Sequence, residues 1–120
     1  MSRLISPEEI AVVQWFLDHP EPMDPLGPWA CAPAELLVVG GCECGCCSVD
    51  FTPDSVGSRP IREAVAVFAD RRQCGLILWR TDDSIDGLEV YDMDTDASHR
   101  LPTVAELRTW DQAGDASSAQ

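Results

Sequence analysis

Four of the chain's six cysteines lie in one short run, Cys42-Glu43-Cys44-Gly45-Cys46-Cys47, with Cys31 and Cys74 outside it. Thiolates are soft ligands suited to Zn²⁺, so this run is the first candidate for chemistry. In an extended strand Cys42, Cys44 and Cys46 would share one face, because side chains alternate. Gly45 and the Gly40-Gly41 pair would instead let the backbone curl and gather several thiolates around one ion. Familiar structural zinc sites pair two C-x₂-C knuckles, whereas this spacing is tighter and unpaired. A zinc site would therefore use Cys42, Cys44, Cys46 and Cys47, with any distant ligand drawn from Cys31, Cys74, His19 or His99. The competing reading, a set of small apolar thiols packed on a strand, is the ordinary role of free cysteine and leads. A thiol-dependent redox role needs one activated thiolate, and neither a C-x-x-C at a helix start nor a Cys–His pairing is visible.

Carboxylates form the second concentration. Asp82, Asp83, Asp86, Glu89, Asp92, Asp94 and Asp96 fall in one hairpin and the loop that follows it. Asp92-Met93-Asp94-Thr95-Asp96 resembles the start of a calcium loop. However, Ala97 stands where glycine makes the turn, and Thr103 stands where a bidentate glutamate is required. On adjoining strand ends these groups form an acidic edge. One reading is charge placed at a sheet margin to discourage edge pairing. The other is an electrostatic docking surface for a basic protein, with Asp82, Asp83, Asp86, Asp92, Asp94 and Asp96 as its rim.

The net charge of −13 supports a basic partner and opposes direct binding to phosphate backbones or anionic lipid. There is no Walker loop, G-x-G-x-x-G, H-E-x-x-H or G-x-S-x-G, which lowers the expectation of an enzyme. The longest apolar run, Leu36 to Val39, is far too short to cross a bilayer. The first nine residues have no extended apolar segment, so a cytoplasmic chain with reduced thiols is expected.

The elements that must carry these residues read as one α+β domain over 1–111, followed by a disordered tail over 112–120. Ser6-Pro7-Glu8-Glu9 is a helix start with a capping box, Pro7 at the tolerated first position and Ile5 and Ile10 as a staple. Ile10, Val13 and Leu17, widened by Trp15 and Phe16, mark its apolar face, and Asp18-His19-Pro20 ends it. The five prolines between 20 and 33 predict a wrapping loop with a short turn near Pro28 to Ala32, anchored by Trp29. Leu36–Gly41 and Cys46–Thr52 read as strands. Ala64–Asp70, Gly75–Thr81 and Ile85–Asp92 are three more, joined by connections short enough for antiparallel hairpins. Leu76 and Leu78 alternate with Ile77 and Trp79, so the middle strand is apolar on both faces and is expected at the centre. Thr103-Val104-Ala105-Glu106 repeats the capping-box pattern and predicts a short C-terminal helix towards Trp110. The expected architecture is an antiparallel β-meander of about four to five strands, with the N-terminal helix packed on one face.

Cys42-Glu43-Cys44-Gly45-Cys46-Cys47-Ser48, taken with Leu88-Glu89-Val90-Tyr91, resembles a family of small bacterial proteins of unassigned function. That family has an N-terminal helix, a C-x-C-G-C-x-S segment and a late L-E-V-Y strand. The resemblance covers residues 7 to 105 in the order of elements and implies an α+β fold without a particular chemistry. In general type the chain is also similar to immunity proteins that neutralise bacterial toxins. The leading expectation is a non-enzymatic immunity-type inhibitor of a cognate toxin, such as a nuclease. It would act through aromatic anchors (Trp29, Trp110, Tyr91) inside an acidic rim.

Overall fold

The computed structural model describes residues 2–19, 32–41, 46–53, 57–81, 84–94, 96–110 and 112. Most of the expected proline-rich loop, with Trp29, the ligands Cys31, Cys42 and Cys44, the carboxylates Asp82 and Asp83, and the tail beyond residue 112 lie outside them.

The helix forms as its first turn dictates. α1 (Pro7–Asp18) is capped by Ser6, whose hydroxyl accepts the Glu9 N–H while the Glu9 carboxylate accepts the Ser6 N–H. Its four orphan N–H groups are thus partly satisfied before any packing occurs. Glu9 is itself buried, and Arg3 grips it with two bonds of 2.8 and 2.7 Å. This hydrogen-bonded guanidinium, reinforced by Ser6, holds the Glu9 carboxyl below its usual pKa against the opposing effect of burial. Arg3 is set there by β1 (Arg3–Leu4), which pairs with β2 (Leu37–Val38) in a small separate ladder.

The main sheet contains β3 (Gly40–Gly41), β4 (Val49–Asp50), β5 (Arg59–Val67), β6 (Gln73–Thr81), β7 (Ser84–Asp92) and β8 (Leu107–Thr109). Their order is β3-β4-β7-β6-β5-β8, and every pairing is antiparallel. β6 is central, as its two apolar faces require. The β5–β6 turn closes with the Arg71 N–H donated to Phe68 O and the Phe68 N–H donated to Arg72 O. Asp70 caps the Arg72 N–H from the side.

Alternation splits this sheet into two unlike faces. Ala64, Ala66, Leu76, Leu78, Leu88 and Val90 join Val12, Val13, Trp15 and Phe16 of α1 in one buried cluster. Val65 and Ile77 are also buried but stand outside that cluster, on the opposite face. The helix therefore covers one side of the sheet only.

Two expectations are corrected. The described strands number eight, not four to five, because short edge strands flank the long hairpins and β1–β2 forms a ladder of its own. The expected C-terminal helix is a single 3₁₀ turn, Val104–Glu106, followed by β8. Its capping box does form, with the Glu106 carboxylate accepting the Thr103 N–H. However, Leu107 and Thr109 are buried while Arg108 is only half-buried, a period of two that suits pairing with β5.

Candidate functional site

The face of the sheet away from α1 is assembled by register. β7 presents Gly87, Glu89 and Tyr91 on this side; opposite them on β6 stand Trp79, Ile77 and Gly75. β5 adds Glu63 and Val65, and β4 places Asp50 directly across from Gly87. Glu63 and Asp50 are exposed, while Trp79, Glu89 and Tyr91 are half-buried. Arg108, paired with Val65, turns its guanidinium onto the carbonyls of Ala105 and Leu107.

Two β-bulges sit side by side in this sheet. Ile61 is the extra residue of β5 between Pro60 and Arg62, and Asp86 is the extra residue of β7 opposite the Trp79–Arg80 step. Bulges raise the local twist and re-aim side chains. Trp79 stands between them, with Pro60 and Gly87 as its partners on either side. The indole Nε1–H donates to Glu89 Oε1 at 3.2 Å, which fixes the ring along the strand.

The twisted surface carries an open groove of about 680 Å³ along β7, from Asp86 at one end to Asp92 at the other. Six residues of strand span roughly 20 Å. Gly87 lies next to Asp86 at one end; a Cβ there would come within 3.2 Å of Val49 O and 3.5 Å of Asp50 Oδ1. The other Asp50 oxygen leans towards Gly40, 3.2 Å from where its Cβ would be. Bare backbone on both sides thus leaves the Asp50 carboxylate accessible. Further along, the Tyr91 ring lies flat over Gly75, so close that a Cβ would fall 2.0 Å from its Cζ. Burial pushes the Tyr91 phenol up, and the negative charges of Glu63 and Glu89 push it further.

The expected rim residues are placed as follows. Asp86 is 3 % exposed, its carboxylate accepting from the hydroxyls of Ser58, Thr81 and Ser84. It closes one end of the groove from within. Asp92 accepts the Ser98 N–H at 2.6 Å, and hydrogen bonds from Ser98, aided by the His99 charge, hold it below the usual carboxylate range. Asp94 accepts the Gln73 N–H at 2.6 Å. Asp96 occupies a left-handed conformation (φ 57°) and approaches His99 Nε2 at 3.8 Å. Ligand atoms of Asp92, Asp96 and His99 lie within 4.8 Å of one another, all three residues being exposed.

Cys46 and Cys47 are half-buried, and Cys74 is fully buried in the core. The Cys47 N–H donates to Ser98 O at 2.9 Å, and the Cys46 thiol donates to Ser48 Oγ at 3.2 Å. The Ser48 hydroxyl accepts the Val90 N–H and donates to Val90 O. This side chain stands in for a ladder pair and binds the cysteine segment to Leu88-Glu89-Val90-Tyr91. The described end of the first motif, Cys46 to Ser48, therefore lies beside the second. Burial pushes the Cys74 thiol up to about 12, and burial together with Cys46 pushes Cys47 up as well. Both shifts run opposite to the depression that a nucleophilic thiolate needs.

Of the aromatic anchors expected from sequence, Tyr91 lies on the open face and Trp110 is exposed at the chain's far edge. Asp50, Glu63 and Trp79 were not expected in a site. Gly75 and Gly87 were the available signal, since glycine inside a strand marks a close approach. Comparison with family models, curated proteins and solved structures finds no match for this chain. Among the described residues no helix is long and apolar enough to cross a membrane.

Proposed function

We propose that this chain is a non-enzymatic acidic binding protein that docks a basic protein partner on the open face of its sheet. In the form favoured here it is an immunity-type inhibitor that covers the active site of a cognate toxin, a nuclease being the best electrostatic match. One observation carries the reading: among the described residues, the sheet face away from α1 places the half-buried Trp79, Tyr91 and Glu89 beside the exposed Asp50 and Glu63. The described ion pairs are Arg3–Glu9, Arg72–Asp70, Arg100–Glu106 and His99–Asp96, and none of them uses those three carboxylates. Large aromatics within a polar rim are the usual anatomy of a hot spot. A net charge of −13 would speed encounter with a basic surface. Asp92, Asp94 and Asp96 extend the negative field beyond the end of the groove.

The test is association with the basic protein encoded beside this chain in its genome, measured by calorimetry at two salt concentrations. Tight binding that weakens with salt, and weakens at least tenfold in Tyr91→Ala, supports the reading. Full affinity in both Tyr91→Ala and Glu63→Gln, or no association, removes it.

A second reading keeps Cys42, Cys44, Cys46 and Cys47 as a zinc centre. It is favoured by the Cys47–Ser98 bond, which brings the segment beside Asp92, Asp96 and His99. Such a centre would be structural and could coexist with docking. About one zinc per chain in protein purified without chelator, with loss of folding on chelation, would support it; metal-free protein with native spectra would end it.

A further inference from the structure

The open face contains a more specific feature than its net charge. At Gly87, a buried glycine that lines the groove, the floor is bare backbone, and the Asp50 carboxylate leans in to 3.5 Å from where a Cβ would stand. Asp50 and Trp79 flank this floor in register, and Glu89 stands two residues along β7 on the same face. Glu89 uses Oε1 to hold the indole N–H, leaving its second oxygen for an incoming donor. Two carboxylates and one aromatic ring thus border one slot in the groove.

We infer that this slot receives an arginine side chain of the basic partner, an inference that rests on the docking function proposed above. A guanidinium is planar, stacks on aromatic rings and donates in a fixed fork to carboxylates. An ammonium would gain the charge attraction without the stacking or the fork. The guanidinium lies against Trp79 and donates to Asp50 on one side and Glu89 on the other. Its entry costs little rearrangement, since the indole and Glu89 are already held together. Asp86, buried at the end of the groove with three hydroxyl partners, adds negative potential without competing for the contact.

The experiment uses N-acetyl-arginine amide as probe, with the lysine and citrulline analogues, titrated into the full chain. The signals followed are the Gly87 amide and the Trp79 indole N–H, the latter identified by its loss in Trp79→Phe. Saturable shifts with arginine are expected at about millimolar dissociation constant, as suits one charged side chain. Lysine should bind several-fold more weakly and citrulline not measurably. Asp50→Asn and Glu89→Gln should each weaken arginine several-fold and together at least tenfold. Glu35→Gln, an exposed carboxylate on another part of the chain, should leave binding unchanged. Native spectra of the variants exclude unfolding as the cause.

Equal binding of arginine and citrulline, insensitivity to the double variant, or no shift at Gly87 and Trp79 would each overturn the slot. These outcomes are separate from those of the docking test. A partner that binds through Tyr91 and Glu63, while the probe leaves Gly87 unmoved, sinks the slot and spares the docking reading. Specific arginine binding with no associating partner does the reverse.

Discussion

The two faces of one sheet have been built by opposite rules. Towards α1, β6 and β7 contribute Leu76, Leu78, Leu88 and Val90, all almost fully buried in the one core cluster they share with helix side chains. Away from α1 the same two strands contribute Gly75, Ile77, Trp79, Gly87, Glu89 and Tyr91, mixing absent side chains with very large or charged ones and one buried isoleucine. The first face fills space as a core must, to crystal-like density. The second sets glycines beside large or charged neighbours: Tyr91 fills the space over Gly75, and Asp50 leans beside Gly87. The docking role proposed above rests on that second pattern.

The sharpest way to break this comparison is to remove volume from the closed face. Leu78→Ala should cost about 2–5 kcal/mol of unfolding free energy, the range for a fully buried leucine. Urea denaturation measures it; a loss under about 1 kcal/mol would mean that the helix does not cover this face. Adding volume to the open face is the next test. Gly75→Ala should destabilise by about 1–3 kcal/mol, as overpacking does, and must lift the Tyr91 ring. A Tyr91 ring signal unchanged in this variant would show that the ring does not rest on Gly75.

Smaller effects test how α1 is held in place. Ser6→Ala, which removes the cap bonded to Glu9 N–H, should cost about 1 kcal/mol without altering the open face. Glu9 supplies a pH signature. Its folded pKa is depressed, so its stabilising contribution is complete above the ordinary value of 4.5 and is lost as pH falls through the lower folded value. Stability of Arg3→Ala should therefore fall less steeply with acid than that of the native chain. Parallel acid profiles would show that the Arg3–Glu9 contact does not persist in solution.

Much of the closed face was legible in the sequence. The capping box at Ser6 located α1, the strand-like runs located β6, β7 and the second half of β5 but missed its start at Arg59–Glu63, and the double apolar character of β6 placed it centrally. β8 was not legible, because a capping box signals one turn and cannot say whether the chain continues as helix or leaves to pair with an edge. The open face was harder for a physical reason. Which residues share it depends on strand order and register, which are set by long-range pairing rather than local pattern. Tyr91 was singled out as an anchor, but Trp79 read as core, and Asp50 and Glu63 lie on strands distant in sequence from the acidic hairpin. Asp86, counted along that hairpin, looked like its neighbours; only the bulge sets it apart.

That bulge has a consequence for how this protein tolerates change. Because Asp86 is an extra residue, Ile85 and Leu88, three apart, both reach the main core. β7 is therefore written in two phases, and the join is Asp86. Deleting that one residue would not shorten the strand harmlessly: it would act like a frameshift in space, turning Ser84 and Ile85 over relative to everything after them. A chain with this strand should accept substitutions at the join far more readily than any change in length. Insertions and deletions in related sequences should accordingly be found in the turns and not within β7.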